Sequence, residues 1–230
     1  MNKKERKNLK RYFDDLALTS IHYWFNKISD SQFDKHLEDE LRRLEELALD
    51  RVKLSHDDLE HEIEMIISPT ITKLGGATLK VKRGKDKRYR YSPVAATLLF
   101  FTEHKLVTYQ CVLDLFTGNP LNTAVKKFFY GDIVAIETQS ENHSIKEADI
   151  PKKTLAAMPW LRKQITNGVL QMKESETFIL TTAGGTGLKV QMPDVAILGD
   201  QAEGQISKTR AERAVAALEK MLDDKKIAHA

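Results

Sequence analysis

The hydrophobic period of this chain changes from helical to strand-like at Gly75-Gly76, and that change constrains the fold more than any motif does. Before it, apolar residues recur every three to five positions among charged ones: Leu9, Phe13, Leu16, Ile21, Trp24 and Ile28, then Phe33, Leu37, Leu41, Leu44 and Ala48. That spacing fits the face of a helix. After it, Leu79 and Val81 alternate with lysines, Tyr89 and Tyr91 with arginines, and Ile133 to Thr138 point alternately to two faces, as strands do. Helices followed by strands predict an α+β chain.

The segment Lys4 to Ile28 reads as an amphipathic helix, ended by Ser29-Asp30-Ser31. Ser31 with Asp34 offers an N-cap and a first-turn charge to a second helix. A third is expected from Ser55, with Asp58 completing a capping-box pair, Leu59, Ile63 and Ile66 turned inward and a stop at Ser68-Pro69. Residues 1–70 thus form an expected helical unit for docking or self-association. Its apolar stripes are narrow, so it should pack on the rest of the chain or on a partner copy, and Leu37, Leu41 and Leu44 are candidate interface residues.

Residues 71–230 form the expected β domain. Its first hairpin turns at Arg83-Gly84-Lys85-Asp86; Val94–Thr102 and Lys105–Leu115 follow as strands, the former apolar enough to be central. Lys126–Thr138, KKFFYGDIVAIET, is expected to be a further strand, with Phe128, Phe129 and Tyr130 at its start and Asp132 as a turn or bulge residue. The strand pattern lapses near 142–168, where prolines and KTLAAM suggest inserted helical turns. Phe178–Ala183 and Leu188–Met192 flank Gly184–Gly187 as a hairpin, and Thr209 with Glu212 is expected to cap a last helix bearing Ala211, Val215, Leu218 and Leu222 on one face.

FFTEHKLVTY, FFYGDIVAIE, FILTTAGGTGLKV and AERAVAALEKML together resemble the strand openings, glycine hairpin and closing helix of bacterial pleckstrin-homology-like (PH-like) domains. The resemblance covers roughly residues 79–226, with Asn142–Gly168 as an atypical insertion. It implies a PH-like antiparallel β-barrel or sandwich closed by a C-terminal helix, and a binding or scaffolding role.

The formal net charge of +3 is too small to imply a nucleic-acid partner by itself. The single cysteine, Cys111, excludes an internal disulfide and suits a reducing compartment, and no apolar run approaches the ~18 residues of a membrane span. A cytoplasmic chain without a transmembrane segment is expected. The best electrostatic candidate is the first hairpin: Lys80, Lys82, Arg83, Lys85, Lys87, Arg88 and Arg90 could meet phosphates of nucleic acid or an anionic membrane surface, with Tyr89 and Tyr91 stacking on bases. The same residues also suit a solvated edge strand guarded against aggregation.

Gly184–Gly187 is followed by a strand and not by the helix that a phosphate loop opens. His56 and His61 are five residues apart, off the spacing of a helical ligand pair, so no metal site is expected among His56, Asp57, Glu60, His61 and Glu64. Cys111 reads as a buried thiol. Trp160, with Met158 and Leu161, is a candidate protein contact or a cap on the barrel. With no catalytic motif and no cofactor motif, the expected function is that of a non-enzymatic adaptor binding proteins or copies of itself; the alternative is an anionic-ligand binder acting through the hairpin.

Overall fold

The computed structural model describes residues 3–13, 28–70, 79–192 and 208–228. Helix α1 covers Lys3–Phe13; Leu16, Ile21 and Trp24 of the expected longer helix lie outside the described residues. Helix α2, Asp30–Val52, is capped by Ser29: its Oγ accepts from Gln32 N at 3.2 Å, and Gln32 Oε1 accepts from Ser29 N at 2.8 Å. Ser31 therefore sits inside the first turn. Leu37, Leu41 and Leu44 are buried in the chain's own core beside Phe33, Tyr12 and Phe13, which corrects their reading as interface residues. A stripe of that width is filled by one neighbour, and here the neighbour is the sheet.

The expected third helix is replaced by a strand. Ser55 and Asp58 do form a capping box, with Ser55 N donating to Asp58 Oδ2 at 2.7 Å, but only the single 3₁₀ turn His56–Asp58 follows. The chain then extends into β1, Glu64–Pro69, antiparallel to β4, Val94–Phe101, in the register Glu64↔Leu99 to Pro69↔Val94. Met65 and Ile67 enter one core while Ile66 enters another, so burial on both faces decides for a strand. Residues grouped by sequence with the helical unit are thus the edge of the first sheet.

That sheet has the order β1-β4-β5-β6, with β5 at Lys105–Asp114 and β6 at Asn119–Phe129. A separate ribbon pairs β2, Lys80–Arg83, with β3, Tyr89–Ser92. The second sheet has the order β10-β9-β7, built from β7 (Ile133–Lys146), β9 (Val169–Thr182) and β10 (Gly187–Gln191), and the short β8, Ile165–Thr166, pairs with the start of β9. Among the described residues these sheets do not join into a closed barrel. They face one another across a shared core.

KKFFYGDIVAIET is the corner between the sheets, not one strand. β6 ends at Phe129, a 3₁₀ turn covers Tyr130–Asp132, and β7 begins at Ile133. Tyr130 fixes the corner: its hydroxyl donates to Thr102 O at 2.9 Å and its N–H to His104 O at 3.3 Å. Asp132 accepts there through its backbone carbonyl, from Ala183 N at 2.8 Å.

β7 and β9 run further than the sequence pattern suggested, and the helical part of the insertion contracts to α3, Lys152–Ala157, and α4, Pro159–Gln164. Met158 and Leu161 are buried in the core that also holds Leu98 and Tyr91, so their reading as surface contacts is corrected. Trp160 lies on α4 by its backbone; its side chain is outside the described residues. The last helix, α5, Lys208–Ala228, is already helical at Lys208, so Thr209 is not its N-cap. Ala214, Leu218 and Leu222 turn inward against Phe178, Leu188 and Ile66.

The first sheet is consequently the middle layer. One face carries Leu98, Phe100, Val107 and Tyr109 against α1, α2, the β2–β3 ribbon and the α3–α4 segment; the other carries Leu99, Phe101 and Leu106 against the second sheet and α5. Met65→Ala and Ile66→Ala remove volume from opposite faces, and each is expected to cost roughly 2–4 kcal/mol in urea unfolding. A surface helix would spare one of the two, so a near-silent substitution contradicts the strand.

Candidate functional site

The basic hairpin is built into the fold rather than held out from it. In its register Lys82 faces Arg90 and Val81 faces Tyr91; Val81, Tyr89 and Tyr91 are buried, so neither tyrosine is free to stack on a base. Arg90, only 1% exposed, is held twice over. Its Nε and Nη2 reach Asp34 Oδ1 and Oδ2 at 2.7 and 2.6 Å, while Nη1 and Nη2 reach Asp86 Oδ1 and Oδ2 at 2.9 and 2.7 Å. Two forked ion pairs on one guanidinium leave it nothing to offer an outside anion.

The network extends into α1. Tyr12 donates its hydroxyl to Asp30 Oδ1 at 2.8 Å, Lys85 N donates to Asp30 Oδ2 at 2.7 Å, and Lys82 Nζ donates to Tyr12 O at 2.7 Å while lying 4.8 Å from the centre of the Tyr12 ring. Arg83 covers the Tyr89 ring and donates from Nε to Lys87 O. Lys85 and Lys87 are exposed at the tip, Arg88 is half-buried, and Lys80 lies on the strand facing Ser92. The adjoining cleft, about 940 Å³, brings Asp30, Asp34 and Asp86 together with Lys82, Arg83 and Arg90. Its charges answer one another, which is the chemistry of a clamp between helix and ribbon.

Titration follows from the same contacts. The Arg90 hydrogen bonds hold the Asp86 carboxyl at about 2, with the Arg88 N–H helping and partial burial opposing. Burial alone would weaken the charge on Arg90, yet Asp86 and Asp34 outweigh it and raise its pKa. Burial, then the Asp30 hydrogen bond, lift Tyr12 well above the ordinary phenol value. Burial likewise pushes the Cys111 thiol up to about 12, away from nucleophilic use.

The remaining sequence candidates are placed as follows. Gly184–Gly187 forms the β9–β10 turn, closed by Thr182 N donating to Thr186 O at 2.9 Å, with Gly185 at φ +75°. His56 Nε2 lies 3.3 Å from Glu46, and Glu60 pairs with Lys225 at 2.6 Å. Among the described residues no group of His, Cys, Asp and Glu is arranged to hold a metal ion, and no helix is long and apolar enough to cross a membrane.

The sheet edges differ sharply in what they offer. On β10 the outward carbonyls are occupied by side chains of the first sheet: Lys126 Nζ donates to Gly187 O at 2.6 Å, Gln110 Nε2 to Lys189 O at 3.3 Å and Ser68 Oγ to Gln191 O at 2.6 Å. β6 ends the first sheet on the side away from β1, and β7 ends the second on the side away from β10. Thr102 N donates to Lys105 O, so the even residues of β5 exchange bonds with Phe128, Lys126 and Ala124, and the backbone groups of Val125, Lys127 and Phe129 point away from the sheet. Those same strands carry all the large apolar side chains that are exposed among the described residues: Val125 at 44%, Phe129 at 57% and Val134 at 58%.

The chain matches no family model, no curated protein and no solved structure. The function therefore rests on the geometry. Val125 escaped the sequence reading altogether, although a signal was present: in VKKFF, residues 125–129, apolar residues occupy both parities, so one parity must face outward unless both faces are covered.

Arg90→Ala should cost about 3 kcal/mol, because it strands two carboxylates beside a buried gap, and chemical unfolding measures it. Asp86, depressed from 3.8 to about 2 in the fold, contributes stability that is full above its unfolded value and lost as pH falls through about 2. Asp86→Asn should therefore flatten the fall in stability between about pH 4 and pH 2; an unchanged acid profile contradicts the clamp.

Proposed function

We propose that this chain is a non-enzymatic, PH-like binding module whose protein partner docks at the open corner formed by β6, the Tyr130 turn and β7. The carrying observation is the coincidence of exposed Val125, Phe129 and Val134 with β6 and β7, each an end strand of its sheet. Exposed apolar side chains grouped on an unpaired edge are costly to leave in water and hazardous for solubility, and a partner relieves both.

Three further features support this reading. Antiparallel strands in two sheets, with a C-terminal helix packed across β1, accord with the strands and closing helix of the PH-like resemblance, though without a closed barrel among the described residues. The narrow helix stripes are spent inside the fold and the central guanidinium of the basic hairpin is already neutralised, so neither competes as the docking surface. A reducing, cytoplasmic setting accords with one buried, free cysteine.

Selection of displayed random peptides against the full chain tests the proposal. Recovered peptides should slow hydrogen exchange along β6 or β7, and Phe129→Ser with Val134→Ser should weaken them at least tenfold while leaving stability within about 0.5 kcal/mol, as expected of exposed sites. Binders whose footprint falls on the β2–β3 ribbon, or that ignore these substitutions, overturn it.

A further inference from the structure

We infer that the partner segment adds to β6 as an extra strand and that it carries an apolar, any, acidic, any, apolar pattern. This inference rests on the corner reading above and goes further by assigning the edge, the conformation and the charge of the bound segment.

The choice of edge follows from backbone direction. On β6 the outward-facing N–H and C=O groups belong to Val125, Lys127 and Phe129, and the side chains of all three are exposed, as are those of Ala124 and Lys126 between them. Their partners on β5 are Tyr109, Val107 and Lys105, which places all three on the face that α2 covers over β5 but leaves bare over β6. An incoming strand can thus complete the hydrogen-bond ladder and lay alternate side chains into the same uncovered strip.

The charge follows from Lys127. It is exposed and makes no hydrogen bond or ion pair among the described residues, whereas its neighbour Lys126 is committed to Gly187 O. A residue directly opposite Lys127 in an added strand sits at cross-strand contact distance, where an opposite charge stabilises and a like charge opposes pairing. Positions two residues to either side meet Val125 and Phe129, where apolar side chains cover area that is otherwise wet. A second copy of the chain suits this strip poorly. The antiparallel self-pairing that sets Val125 against the other copy's Phe129 also sets Lys127 against Lys127.

The test uses the full chain and two blocked synthetic peptides: Ser-Thr-Val-Thr-Glu-Thr-Phe-Thr-Ser and the same sequence with Lys in place of Glu. At low salt the Glu peptide should bind about tenfold more tightly than the Lys peptide. Its binding should slow hydrogen exchange at the amides of Val125, Lys127 and Phe129. In Lys127→Glu, whose thermal unfolding should match the wild type, the preference should reverse. Equal binding of both peptides with that footprint overturns the charge pattern and leaves the corner reading standing. If neither binds while displayed-library binders protect β7 alone, addition to β6 is overturned; if no binder of any kind is found, both readings fall. Concentration-dependent self-association abolished by Val125→Asp replaces the separate partner with a second copy.

Discussion

Burial of the first sheet on both faces is the constraint on which the rest of the molecule depends. A sheet with one wet face can alternate polar and apolar residues, but VAATLLFF in β4 has almost no polar parity to give to water. It must be covered twice. α1, α2, the β2–β3 ribbon and the α3–α4 segment supply one cover, and the second sheet with α5 supplies the other. Every peripheral element is thus recruited to a single apolar strand and its neighbours, and the functional surface is whatever that cover fails to reach.

The way the two sheets cross explains where the cover stops. From Gly187 to Gln191 β10 advances by roughly 13 Å and meets side chains of β6, β5 and β1 in turn, while crossing three strand spacings covers about 14 Å. β10 therefore runs nearly at right angles over the first sheet. An orthogonal pair of sheets is close at one corner and splayed at others. The side chains of Lys126, Gln110 and Ser68 close the edge of β10, Tyr130 pins the turn, and β6 and β7 are left as end strands that carry exposed apolar side chains.

How much of this was legible depended on whether the deciding partner was local. The stripe of α2, the ribbon around Gly84 and the turn at Gly184–Gly187 follow from spacing alone and are present in the structure. Met65-Ile66-Ile67 did not announce a strand, since a short apolar run fits helix or strand, and only its pairing with the distant β4 decides. Arg90 looked solvent-facing by parity; Asp30 and Asp34 from another element, together with Asp86 across the turn, draw it inward. The outward face of β6 was hidden for a related reason. Phe128, Phe129 and Tyr130 look alike in sequence, but only the register with β5 shows that Phe128 and Tyr130 go in while Phe129 stays out.

The β7–β9 ribbon has a structural role of its own. Its first half places Ile133, Phe178 and Leu180 in the core beneath α5, and its far half places Ile145 and Leu170 in the core beneath the helices. One pair of strands is therefore stitched through both interiors. Such a strap denies either half of the molecule an independent opening, because peeling the ribbon from one interior tugs on the other. The corner at the near end of β7 and the α3–α4 insertion beside its far end are therefore held by one continuous pair of strands.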